Sequence, residues 1–112
     1  MEEQLISFET AKLAKEKGFK RLCDFSYDED GMITGNCEQA YNFVAPTQSL
    51  LQKWLREKHK IHIELQCDSN YYKYFILIYY KTNCVFSLDD SLIYEEALEI
   101  GLQEALKLIE WI

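Results

Sequence analysis

The chain has 112 residues, of which 48% are hydrophobic and 14% aromatic, and its formal net charge is −7. This length predicts one domain over residues 1–112, because two separate cores would each be too small to be stable. The aromatic content excludes a disordered chain, and the four glycines exclude a collagen-like or Gly-rich linker sequence. An acidic N-terminus and the lack of a 20-residue apolar run predict a cytoplasmic protein with no membrane contact.

The charge is distributed in blocks. Residues 24–38 sum to −5, residues 47–81 to +3, and residues 89–112 to −6. Phosphate backbones are bound by clustered lysines and arginines, so this acidity disfavours nucleic acid as a partner.

Three segments have the caps and apolar spacing of helices. Ser7 is a candidate N-cap for the first, which Gly18 ends, and Thr47 caps a second helix, with His59 at its end. A third helix is predicted over residues 92–109, with its cap at Asp89, Asp90 or Ser91. Between the first two helices, the turn residues 28–31 predict an irregular hairpin, and residues 35–45 are expected to be irregular surface.

Alternation predicts the strands. Residues 61–67 are apolar on one face only, residues 71–81 pair with them in a hairpin, and residues 84–87 are a candidate third strand. The predicted fold is therefore α+β, in the order helix, irregular hairpin, helix, two to three strands and helix, with three helices packed on a small antiparallel sheet.

The second strand is apolar on both faces and holds five of the eight tyrosines. Either it is central and covered on each face, or one face is an exposed aromatic patch that binds a partner. Basic residues of the second helix add local positive charge. The candidate interaction residues are Tyr71, Tyr72, Tyr74, Tyr79, Tyr80, Lys53 and Arg56.

Small residues recur every fourth position in the last helix, at Ala97, Gly101 and Ala105. Such a groove lets another element approach the helix backbone closely. The packing partner is either this domain's own sheet and helices or a second copy of the chain.

No motif indicates catalysis or a metal site. Residues 26–33 resemble the start of an EF-hand loop, but Cys37 stands where the bidentate Glu is required. His59 and His62 lack the Cys pair that would complete a zinc site. The four cysteines are expected to be free, mostly buried thiols. We therefore predict no enzymatic activity, no cofactor and no metal.

Three blocks together resemble short uncharacterised proteins of Bacteroides-group gut bacteria and their phages and prophages. The blocks are residues 5–19 (LISFETAKLAKEKGF), residues 45–59 with 61–63 (APTQSLLQKWLREKH, IHI) and residues 94–106 (YEEALEIGLQEAL). The resemblance implies a small, self-contained cytoplasmic protein and transfers no catalytic residue.

These observations favour a small non-enzymatic binding protein, an accessory factor of a phage or mobile element that acts on a host or phage protein. Its partner would be a protein or a second copy in a homodimer. The alternative is a protein that binds or sequesters a nucleotide-like ligand in a pocket between the sheet and the last helix.

Overall fold

A computed structural model describes residues 4–21, 23–35, 42–68, 73–88 and 93–109. Its helices are α1 (Phe8–Glu16), α2 (Gln48–Lys58) and α3 (Tyr94–Leu108). Its strands are β1 (Ser26–Tyr27), β2 (Ile33–Thr34), β3 (Phe43–Val44), β4 (Ile61–Asp68), β5 (Lys73–Tyr80) and β6 (Asn83–Leu88). The α+β class is therefore confirmed, with two antiparallel three-stranded sheets in place of one.

The first two helices begin at the predicted caps. The side-chain oxygen of Ser7 accepts a hydrogen bond from the backbone N–H of Thr10, and Thr47 does the same for Leu50, each at 3.2 Å. Each bond satisfies one N–H that has no partner inside its helix. Gly18 follows α1 with a φ of +98°, a backbone conformation that glycine adopts without a Cβ clash.

The small sheet has the order β2-β1-β3 and lies beside α1. The predicted hairpin is present as β1 and β2, and Tyr27 pairs with Ile33. Residues 35–45 were expected to be irregular, but β3 lies within them and pairs with β1. Ala45 is buried, and its N–H donates a hydrogen bond to the carbonyl of Phe25 at 2.9 Å. A two-residue strand gives too short a pattern to be recognised in a sequence.

The main sheet has the order β4-β5-β6, so β5 is its central strand. Ile63 pairs with Ile78 and Leu65 with Ile76, while Phe86 and Leu88 continue the same face on β6. We call this the inner face, because α2 and α3 pack on that side and the buried core lies between. The opposite face, here the outer face, carries His62, Glu64, Gln66, Phe75, Leu77, Tyr79 and Ser87.

Helix α3 crosses the inner face and presents Ala97, Gly101 and Ala105 to the core. It begins at Tyr94, with Ile93 at the N-cap position and no side-chain cap. The expected caps, residues 89–91, lie outside the described residues. Within the described part of the chain, no helix has the length and apolarity needed to cross a bilayer.

Candidate functional site

The outer face is an apolar row on a sheet surface that no described helix or strand covers. Phe75, Leu77 and Tyr79 alternate along β5 and are all partly exposed. The helices with contacts to the main sheet are α2 and α3, and both pack with the inner-face residues in one core. The row is therefore in contact with solvent along the centre of the sheet.

Polar side chains border this row on both sides, those of His62, Glu64 and Gln66 on β4 and that of Ser87 on β6. His62 pairs with Tyr79, and their ring centroids are 6.4 Å apart. Glu64 is opposite Leu77, and its carboxylate accepts a hydrogen bond from the amide of Gln66 at 3.3 Å. An apolar centre with a polar rim is typical of protein interaction surfaces.

A shallow depression of about 180 Å³ lies at one end of the outer face. Its lining residues belong to all three strands: Gln66, Phe75, Ile76, Leu77, Ser87 and Leu88. Pockets that enclose drug-sized ligands are about 300–1,000 Å³, so this depression fits one side chain of a partner better than a whole ligand.

The five candidate tyrosines do not lie on one surface. Tyr79 is on the outer face, whereas Tyr74 and Tyr80 are on the inner face and are half-buried against the core. The ring of Tyr74 packs edge-on against that of Tyr94, with 5.4 Å between their centroids. Tyr71 and Tyr72 lie outside the described residues. Of the described tyrosines in β5, Tyr79 is the one placed to contact a partner on the outer face.

The two basic candidates lie on α2. Lys53 and Arg56 are exposed on that helix, whose buried side is formed by Gln48, Leu51, Trp54 and Leu55. Helix α2 packs on the inner-face side of the main sheet, whereas Tyr79 is on its outer face. The structure therefore does not combine them with the outer face into one site.

The small residues of α3 are buried within this chain, and Gly101 packs on its own sheet. Ala97, Gly101 and Ala105 are all buried. A Cβ added at Gly101 would lie 3.1 Å from Cγ2 of Ile63 and 3.2 Å from Cγ2 of Ile76. The space between the sheet and the last helix is therefore filled at this point, which is where the alternative ligand pocket was expected.

A polar cluster around Glu99 was missed by the sequence analysis. One carboxylate oxygen accepts from the N–H and the hydroxyl of Ser7, at 3.0 and 2.9 Å, and from the hydroxyl of Thr10. The other accepts from the amide of Gln48 at 3.0 Å, and Gln103 donates to the hydroxyl of Thr10 at 3.0 Å. Glu95, Glu99 and Gln103 form a polar stripe on α3 that could have indicated the cluster. Its bonds connect the starts of α1 and α2 to α3, which is a structural role.

Burial shifts the pKa of two groups near the core. Burial raises the pKa of Tyr27 above its usual value, and the charge of Glu99 raises it further. The hydroxyl of Tyr27 donates to the carbonyl of Ile6 at 2.6 Å. Burial lowers the pKa of His59, and Lys58 lowers it further. His59 ends α2 with its ring 4.7 Å from that of Trp54, and its buried Nε2 has no hydrogen-bond partner among the described residues.

Among the described residues, the thiols and the acidic loop do not form a site; Cys37 lies outside them. Cys67 and Cys84 are free and exposed rather than buried, because both lie near strand ends, and Cys23 is half-buried. The carboxylate of Asp28 accepts from the N–H groups of Asp30 and Met32, at 2.9 and 3.0 Å, and so closes its own turn. Among the described residues, no three His, Cys, Asp or Glu side chains come together to hold a metal ion.

Comparisons with known proteins add no family to this description. No protein-family model, curated protein or solved structure matches the chain.

Proposed function

We propose that this chain is a non-enzymatic binding protein whose outer face takes a protein partner. The observation that carries this proposal is the partly exposed row of Phe75, Leu77 and Tyr79 on a sheet face that no described element covers. An antiparallel sheet that packs against a core on one side normally has polar side chains on its solvent-exposed side. Here the central strand is apolar on that side, which favours a surface that is buried part of the time.

The proposed partner is a host or phage protein in the cytoplasm, as the resemblance to phage-associated proteins implies. The row has aromatic anchors at both ends and an aliphatic side chain between them, which suits the buried centre of an interface. Glu64 gives the rim a negative charge beside Leu77. A partner with an apolar patch and a nearby lysine or arginine would satisfy both features.

A comparison of two double variants would test this function. The outer-face variant combines Leu77→Ser with Tyr79→Ser, and the matched α2 variant combines Lys53→Ser with Arg56→Ser. Each immobilised protein would be exposed to a Bacteroides-group cell lysate, and retained proteins would be identified by mass spectrometry. Circular dichroism would first show that both variants are folded.

We expect wild type and the α2 variant to retain the same partner. The outer-face variant should lose it, with the mass-spectrometric signal of the retained partner at least tenfold lower. Loss in the α2 variant with retention in the outer-face variant would place binding on the helical side. Equal retention by all three proteins would contradict the proposal.

Geometry does not favour the alternative, binding of a nucleotide-like ligand. That function needs a cavity between the sheet and α3, with Lys53 and Arg56 contacting phosphate. At Gly101, α3 packs so closely on the sheet that no space is left there for a ligand. Neither cation points into the core, because both are exposed.

A further inference from the structure

The segment that follows α1 packs against the end of α2. The ring of Trp54 contacts that of Phe19 and that of His59, with 5.1 and 4.7 Å between the centroids. The side-chain amide of Gln52 donates a hydrogen bond to the carbonyl of Ile63 at 3.1 Å, which fixes α2 beside β4. The residues next to Phe19 and those next to His59 are therefore brought together, although they are far apart in the sequence.

Exposed cations surround this contact. Lys20 and Arg21 directly follow Phe19 in the sequence, and the backbone N–H of Lys81 donates to the carbonyl of Lys60 at 3.0 Å. We call the following six exposed residues the basic end: Lys20, Arg21, Arg56, Lys58, Lys60 and Lys81. They include both arginines of a chain whose net charge is −7, so the other residues together carry −13.

The fold accounts for only part of this positive charge. Cations near a helix C-terminus are stabilised by the helix dipole, which explains Arg56 and Lys58 in the last turn of α2. The ammonium of Lys60 also donates to the carbonyl of Glu57 at 3.2 Å. Arg21 and Lys81 lie outside the helices, and none of the six cations forms an ion pair within the described part of the chain.

Two of the lysines occupy strained backbone positions. Lys60 and Lys81 both have a φ of +59°, in the left-handed region that glycine and asparagine adopt at lower cost. This conformation costs a residue such as lysine about 1 kcal/mol, and strained residues of this kind cluster at functional sites. The chain therefore has a positive charge at two adjacent positions where an uncharged residue would be less strained.

We propose that the basic end binds an acidic segment of a partner protein. Arginine forms bidentate hydrogen bonds with carboxylates, and lysine adds point charges, so together they are complementary to a cluster of Asp and Glu side chains. A nucleic acid is less suitable, because a long polyanion would continue past the basic end along the acidic remainder of the molecule. Phe19 and Trp54 are buried and cannot stack on bases.

Fluorescence anisotropy at low ionic strength would test this surface, with a labelled oligoglutamate peptide and a labelled DNA duplex of equal charge as probes. The disrupting variant combines Lys60→Asn with Lys81→Asn, since asparagine tolerates a positive φ and the change removes charge without adding strain. The matched control combines Lys12→Gln with Lys107→Gln. It removes the same charge from exposed positions in the groove between α1 and α3.

We expect wild type and the control to bind the peptide with similar affinity, and more tightly than the duplex. The asparagine variant should remain folded by circular dichroism and bind the peptide at least about fivefold more weakly. If it is unfolded, Lys20→Gln combined with Arg21→Gln takes its place and should weaken binding in the same way.

The proposal would be overturned if wild type did not bind the peptide, if both double variants were weakened equally, or if the duplex bound more tightly. Sedimentation equilibrium provides a further test. A wild-type dimer that is lost in the asparagine variant would identify a second copy as the occupant, and a separate acidic partner would then be wrong. The proposal does not depend on the proposed function, because the outer-face variant should bind the peptide as wild type does.

Discussion

The carboxylate of Glu99 accepts hydrogen bonds from the starts of two other helices. Ser7 is the N-cap of α1, and Gln48 is the first residue of α2. A negative charge near a helix N-terminus is stabilised by the helix dipole, and bonds to a charged acceptor are stronger than neutral ones. Glu99 therefore connects all three helices through one side chain.

Glu99→Ala is expected to lower the free energy of unfolding by about 2–3 kcal/mol, because the donors of Ser7, Thr10 and Gln48 lose their acceptor. Urea denaturation followed by circular dichroism would measure the change. Glu96→Ala is the matched control on an exposed position of α3 and should change stability by less than about 0.5 kcal/mol. Equal stability of the two variants would show that the cluster contributes little.

His59 makes stability depend on pH. Its pKa is lowered in the folded chain, so below about pH 6.5 the unfolded chain takes up a proton before the folded one does. The unfolded state then binds more protons, and the free energy of unfolding falls as the pH falls, until the lowered pKa is reached. Urea denaturation at several values between pH 8 and pH 5 should show a shallower decline for His59→Asn than for wild type.

The exposed His62 provides the control for this effect. His62→Asn should retain the wild-type decline, because it leaves the buried Nε2 of His59 and its contact with Trp54 in place. A His59→Asn profile identical to that of wild type would refute the assignment to His59.

At the scale of the element, Gly101 determines how closely α3 approaches the sheet. Glycine inside a helix costs about 1 kcal/mol relative to alanine, yet the positions of Ile63 and Ile76 leave little room for a Cβ. Gly101→Leu is expected to lower the free energy of unfolding by about 3 kcal/mol, since four added carbon atoms have no space in the core. Differential scanning calorimetry would measure the shift in melting temperature.

Glu96→Leu controls for this change, because it introduces the same side chain at an exposed position of α3. It should leave the melting temperature within a few degrees of wild type. If Gly101→Leu behaved the same way, the close packing of α3 on the sheet would be wrong.

Elements with local signals were predictable, and elements that depend on distant contacts were not. Ser7 and Thr47 mark helix starts because their partners lie three residues ahead. The start of α3 was misplaced, since Ile93 makes no side-chain cap bond that a sequence pattern would reveal. The bonds of Glu99 to Ser7 span 92 residues, a separation at which no local pattern operates.

At the scale of the whole molecule, the sequence identified one strand and two basic residues of the second helix as the candidate site, but it did not identify which face of the strand is exposed. Alternation showed that β5 is apolar on both sides. Which side is covered depends on where α2 and α3 pack, and α3 packs with Gly101 against Ile63 and Ile76 of the inner face. The same packing places Tyr74 against the core and Tyr79 on the open side.

The side-chain amide of Gln52 occupies a backbone acceptor on one edge of the main sheet, the carbonyl of Ile63. A sheet with two available edges can add molecules at both ends and grow into a fibre, whereas a sheet with one available edge stops at a closed pair. The bond from Gln52 therefore makes the β4 edge a poorer template for a further strand, and the net charge of −7 on each molecule also opposes association. Loss of that amide would leave the carbonyl of Ile63 able to accept a hydrogen bond from a further strand at this edge.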